Sequence, residues 1–341
     1  MPHSEYYRGL DEFATSSPSR AELQLFYGGY NNLEQIPASF KNMVKIGLFD
    51  LSHNKLSGEI TSLTQAVKPV QIFLNNNEIS AIPEDFCGID DIEFIYLNDN
   101  KLTKIPNMFS AASAYTIDEI DLSFNQIEGV DVDGYKGVHV KVLNLAANNL
   151  TEFPTVLFNE SATNKGSIIS MINLGGNKMT TFDSDSFQGP NLYLLESIDM
   201  SNNMLTALPN NFDATKLPYL YGLDLSGNSF VNFPFAPLNI SRLTVMMIRN
   251  QRDAEGNRTL KSWPTGLYTC PSLRGFYIGG NDLRKIEDTI SYLIYVFDIS
   301  DNPNITIDMS AVCPYISAGS YQLIYDRTQD IRGCDALNLI N

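Results

Sequence analysis

The 341-residue sequence is short of histidine, of positive charge and of long apolar runs, and each shortage removes a class of function. Its histidines are His3, His53 and His139, widely separated along the chain. There is no GxSxG elbow, no HExxH pair and no phosphate-binding loop, so no catalytic centre, cofactor site or zinc site is expected. His53 follows Asp50 and Ser52, but the Asp-Leu-Ser triplet recurs elsewhere without histidine, and a surface histidine is the expectation there. Asp131-Val132-Asp133-Gly134 and Asp183-Ser184-Asp185 offer oxygens to calcium without a full ligand set or a closing Glu. With 23 basic against 39 acidic residues and a net charge of −16, the chain is not expected to bind nucleic acid or an anionic bilayer. No stretch approaches the ~20 apolar residues of a spanning helix.

What the chain does have is asparagine in register. Twelve of them, at positions 31, 54, 77, 100, 125, 148, 177, 203, 228, 250, 281 and 302, each end a short apolar alternation. The segments IYLNDNKLTKIPNMF, LNLAANNLTEFP, IDMSNNMLTALPNNF and LDLSGNSFVNFP share one pattern, with apolar residues three and five places before the Asn and two places after it. A single coil cannot bury its own apolar face, so coils must stack on one another. Alternation of period two over Ile95–Leu97 makes a strand with Ile95 and Leu97 inward and Tyr96 outward. The Asn amide can donate to and accept from backbone groups that the turn out of the strand would leave buried and unpaired. Pro after the last apolar position, as in Ile105-Pro106 and Phe153-Pro154, disfavours helix and predicts an extended or 3-10 outer side.

With these repeats the chain resembles the leucine-rich repeat superfamily, in its 23-residue LxLxxNxLxxIPxxhF form, over roughly residues 23 to 310. More finely, it looks like the secreted or surface leucine-rich repeat proteins of gut Bacteroidetes. The resemblance implies an α/β repeat fold: a curved solenoid of about twelve coils with a parallel sheet on its concave face. Gly28 replaces a core Leu in the first coil, Asn304 stands at an apolar site in the last, and the coil at Asn250 is interrupted. The expected organisation is a polar tail or linker over 1–20, the solenoid over 21–310 and a cap over 311–341. The opening lacks the basic-then-apolar order of a secretory signal. It reads either as a linker following an upstream domain or lipid anchor, or as the tail of a cytosolic chain. Cys87 and Cys270 lie about seven coils apart, on the order of 30 Å, too far to bridge. Cys313 and Cys334 could close a loop of ~20 residues, contributing about 3 kcal/mol, or remain reduced core thiols; if bonded, they imply an oxidising compartment.

The outward residues of the strands are the expected binding surface, since they vary without touching the core. In coil order they read Tyr27, Asp50, Phe73, Tyr96, Asp121, Asn144, Asn173, Asp199, Asp224, Met246, Tyr277 and Asp298. The neighbouring column adds Leu25, Leu48, Phe94 and Glu119. This gives an apolar patch in the first coils and an Asp/Asn row in the middle ones. The tenth coil carries about eight extra residues, with Arg249, Arg252 and Arg258. Residues 242–285 hold eight basic residues against three acids, inside a chain that is otherwise strongly acidic. The expectation is a non-enzymatic, extracellular or surface-attached module that binds a protein. Carbohydrate capture and an intracellular effector are the alternatives.

Overall fold

The computed structural model describes residues 24 to 332 apart from 38–39, 42, 44, 64–66, 84–85, 87–90, 107–115, 130–139, 159–167, 183–185, 188–191, 210–215, 234–241, 264–270, 286–293, 309–321 and 327–328. All four cysteines fall outside the described residues, and so does the proposed Cys313–Cys334 pairing. His3, His139, Asp131, Asp133, Asp183 and Asp185 also fall outside them.

The chain divides into two compact units. The first comprises Met1–Leu150, Pro154–Ile172 and Gly189–Asn191. Its strands are β1 (Leu25–Tyr27), β2 (Leu48–Asp50), β3 (Ser57–Glu59), β4 (Gln71–Phe73), β5 (Glu78–Ala81), β6 (Phe94–Tyr96), β7 (Ile117–Asp121) and β8 (Val140–Asn144). Here β1, β2, β4, β6, β7 and β8 pair in parallel and in order. On the far side of the coils β3 and β5 form a second, two-stranded parallel sheet. β9 (Met171–Asn173) falls at the division.

The second unit comprises Thr151–Phe153, Asn173–Gln188 and Leu192–Asn341. It holds β10 (Ser197–Asp199), β11 (Gly222–Asp224), β12 (Val245–Met247), β13 (Gly275–Tyr277), β14 (Val296–Asp298), β15 (Thr306–Asp308), β16 (Gln322–Ile324) and β17 (Asp330–Arg332). The parallel order is β10 to β14 and then β16, with β15 and β17 paired apart. Thus β16, beyond the last asparagine of the series, supplies one coil strand more than the twelve expected. Among the described residues there is no α-helix, only short 3-10 turns such as Thr155–Phe158, in keeping with the Pro-containing outer segments.

Each coil is built as its pattern dictates. In the coil of Asn100, Ile95, Leu97, Leu102 and Ile105 are buried. The Asn100 amide donates to the Leu74, Leu97 and Asn98 carbonyls at 3.0, 3.1 and 3.3 Å, and its oxygen accepts the Ile79 N–H at 2.9 Å. One side chain therefore satisfies groups in its own coil and in the preceding one. The same bonds repeat at Asn54, Asn77, Asn125 and Asn148 in the first unit, and at Asn203, Asn228, Asn281 and Asn302 in the second.

The tenth coil corrects the sequence register by one residue. Gln251, fully buried, takes the ladder position: its amide donates to the Leu225 and Arg249 carbonyls at 2.9 and 3.0 Å, and its oxygen accepts the Phe230 N–H at 3.1 Å. Asn250 is exposed and sits with φ 53°. It occupies the place immediately before the ladder residue, where every coil from Tyr30 to Asp301 has positive φ, from 51° to 75°. Because the register moves, Met246 is core, with 0% exposure, and Met247 faces outward. Gln329 extends the ladder, donating to the Ile299 carbonyl at 2.8 Å. Two other expected departures resolve locally. The Phe26 ring fills the space that the missing Gly28 side chain leaves. Asn304 is exposed and donates to Asp282, while Ile305 takes the apolar site.

Candidate functional site

The outward column of the strands divides into two chemically different sets. Where it carries Asp or Asn, the side chain accepts from the backbone N–H two residues on, an Asx turn that holds the exit from the strand. The bonds are Asp50 to Ser52 (2.9 Å), Asp121 to Ser123 (2.9 Å), Asn144 to Ala146 (3.1 Å), Asn173 to Gly175 (2.9 Å), Asp199 to Ser201 (2.8 Å), Asp224 to Ser226 (2.8 Å) and Asp298 to Ser300 (3.0 Å). At Asp50, Asp121 and Asp298 the serine hydroxyl donates as well, at 2.6 to 2.7 Å. The Asp/Asn row therefore has a folding role that its sequence pattern did not separate from binding. Burial pushes the Asp224 carboxyl up, with the nearby Asp199 adding to it, while its bonds to Ser226 and the charge of Arg249 oppose the shift.

The remaining outward positions give up this turn. In the first unit they are Tyr27, Phe73 and Tyr96. Phe73 and Tyr96 stack with centroids 5.2 Å apart and planes at 14°. The Tyr96 hydroxyl lies 3.5 Å from a Glu119 carboxylate oxygen, and burial and then Glu119 raise the phenol above its ordinary value. Tyr27 and Leu25 are 69% and 54% exposed, and Leu48 and Phe94 are half-buried in the adjacent column. Strand register places Leu25 beside Leu48, Gln71 beside Phe94, and Tyr27, Asp50, Phe73 and Tyr96 in sequence across the sheet.

In the second unit the candidate residues are engaged within the protein. Arg249 lies over the Tyr277 ring, 4.6 Å from its centroid, and forms an ion pair with Asp298, whose side chain is 4% exposed. The insertion folds back on itself, with Arg252 and Arg258 bridged in antiparallel fashion. Arg252 donates to the Gly280 carbonyl at 2.5 Å. Arg258 donates to the carbonyls of Asn281 and Asp301 and pairs with the Asp301 carboxylate at 2.5 Å. These arginines cover backbone oxygens of the two following coils, which explains why the positive segment is tolerated there. Burial, and the neighbouring Arg258, lower the affinity of Arg252 for its proton.

His53 stacks on Tyr30 at 4.1 Å, and the Asp50–Ser52 bond beside it recurs at Asp121 and Asp298 without histidine. Among the described residues no group of three or more His, Cys, Asp or Glu is placed to hold a metal ion, and no helix is long and apolar enough to cross a membrane. Sequence reasoning passed over Tyr30 and Phe124, 79% and 61% exposed at the positive-φ position just before the ladder residue. A bulky ring at that strained place is unusual, and a ring where most other coils put Asn, Asp or Gly was the available signal.

The chain is similar to solved leucine-rich repeat proteins of Bacteroides. One, from Bacteroides thetaiotaomicron, is 45% identical with a TM-score of 0.91, covering 100% of this chain and 42% of that chain. Another, from Bacteroides eggerthii, is 44% identical with a TM-score of 0.88, covering 97% of this chain and 55% of that one. Among curated proteins it is 25% identical to Tsukushi of Gallus gallus over 204 residues, 58% of this chain and 51% of that protein. The chain thus spans about half the length, or less, of these relatives. No family model matches it.

Proposed function

We propose that this leucine-rich repeat protein is an interaction module that binds a protein through the aromatic strand face of its first unit, centred on Leu25, Tyr27, Phe73, Phe94 and Tyr96. One observation carries the reading: coils that place an aromatic in the outward column forgo the Asx turn their neighbours use, so these rings are not there to hold the strand exit. Exposed aromatic clusters on a rigid sheet are the usual anchors of protein contacts. A preorganised array also loses little freedom on docking, so few anchors suffice. The likeness to leucine-rich repeat proteins of Bacteroides is compatible with a place at the cell surface or outside it. Arg249, Arg252, Arg258 and Tyr277 are bound up in internal contacts and serve this reading less well than the aromatic set.

The test is capture of a protein on the immobilised chain, followed by titration. Tyr27→Ala, and Phe73→Ala combined with Tyr96→Ala, are each expected to weaken the captured partner at least tenfold while the melting temperature stays within a few degrees. Full retention of affinity in both variants overturns the proposal.

A further inference from the structure

At the strand-entry rim of the second unit, just before β11 and β12, lies an open cavity of about 400 Å³ lined by Glu196, Tyr219, Tyr221, Arg242, Thr244 and Ser272. Tyr219 and Tyr221 are exposed, and the Arg242 guanidinium lies over the Tyr219 ring, 4.8 Å from its centroid. Further along the same rim Arg274 lies over the exposed Tyr295 at 5.7 Å, with its guanidinium steadied by the Pro271 and Leu273 carbonyls at 3.1 and 3.0 Å. Among the described residues neither arginine is paired with a carboxylate, unlike Arg249 and Arg258, which are neutralised by Asp298 and Asp301. Two cations of the basic stretch 242–285, Arg242 and Arg274, thus stand at this rim without a carboxylate partner among the described residues, in a chain whose net charge is −16.

We propose that this rim is a subsite for an anionic pyranose, one unit of an acidic polysaccharide. Tyrosine faces offer a flat apolar surface for the C–H face of a sugar ring. The Glu196 carboxylate can accept from its hydroxyl groups, and the Thr244 hydroxyl, which donates to the Arg242 carbonyl at 3.0 Å, keeps its lone pairs for them. The planar guanidinium of Arg242, held by cation–π contact, presents paired donors to a carboxylate or a sulfate ester. The concavity has the size of a small-ligand site, whereas a specific protein contact needs about 800 Å² on each partner. None of these residues belongs to the aromatic strand face of the first unit, so the two sites fail or stand separately.

The experiment is titration calorimetry of the whole chain with oligogalacturonate (carboxylate only), dextran sulfate oligosaccharide (sulfate only), a neutral cello-oligosaccharide and polyglutamate. Saturable binding of one or both anionic saccharides is expected, weakened by added salt. Arg242→Gln and Tyr221→Ala should each reduce it tenfold or more, and Arg242→Lys should retain part of it. Which saccharide binds identifies the anionic group. Both side chains are at the surface, so the melting temperature of each variant should match the parent. Absence of saturable binding, equal binding of the neutral sugar, equal or tighter binding of polyglutamate, or retained binding in both the Gln and Ala variants overturns the proposal.

Discussion

The two units run the same coil on the same amide ladder, yet they treat the outward side of their strands in opposite ways. In the first unit Tyr27, Phe73 and Tyr96 stand in the outward column, with Leu25 and Phe94 alongside. In the second unit the strand face binds itself: Arg249 rests on Tyr277 and pairs with Asp298, and the adjacent column carries only small or aliphatic residues from Ser197 through Gly222, Val245 and Gly275 to Val296. A repeat thus fixes where the outward residue stands but not whether it is free. Freedom depends on what the next one or two coils bring alongside.

The strongest way to break this comparison is at the ladder, which should behave alike in both units. Asn100→Ala in the first and Gln251→Ala in the second are each expected to cost about 3 kcal/mol in urea unfolding, because each strands several buried backbone groups. Asn250→Gly, one residue away, should stay within about 0.5 kcal/mol; a large loss there would restore the register read from the sequence. Next comes Arg249→Ala, which leaves the Asp298 charge buried without its partner and should cost about 3 kcal/mol. The equivalent position in the fourth coil, Asn98→Ala, should be close to neutral in the same assay.

The aromatic pairs sharpen the contrast further. Phe73→Ala with Tyr96→Ala is expected to lower stability by only about 1 kcal/mol, the worth of a stacked pair, while reducing affinity for a captured partner at least tenfold. Tyr277→Ala should do the reverse, lowering stability through the loss of its cation–π contact while leaving that affinity within twofold.

The smallest effect concerns Asp224. Its folded-state pKa is raised above 3.8 by burial, so the native state holds this proton more firmly than the unfolded chain does. Stability from that source is present at low pH and lost as pH rises from 3.8 through the folded value. Asp224→Asn keeps the acceptor for Ser226 and should be more stable than the parent at pH 7, with the advantage shrinking as pH falls toward 3.8 in parallel thermal melts.

Much of the candidate site was legible in the sequence, because the outward position is a fixed four residues before each ladder asparagine. Tyr27, Phe73 and Tyr96 were placed correctly on that ground alone. Met246 was placed wrongly because Asn250 is the residue type the ladder favours, while Gln251, whose amide does the same chemistry with one more methylene, holds the position. The Asp row, the insertion arginines and the rim around Arg242 could not be sorted by pattern. Asp121 binds two residues ahead, whereas Arg258 reaches a residue 43 positions away.

The sequence by itself determined the coil: apolar alternation specifies the strand, the amide pairs the turn, and proline keeps the outer side from becoming helix. These are local instructions, repeated until stacking buries them. Tertiary structure alone decided which outward groups remain available, since a carboxylate or guanidinium is consumed or left free by partners that only the stacking of separate coils brings within bonding distance.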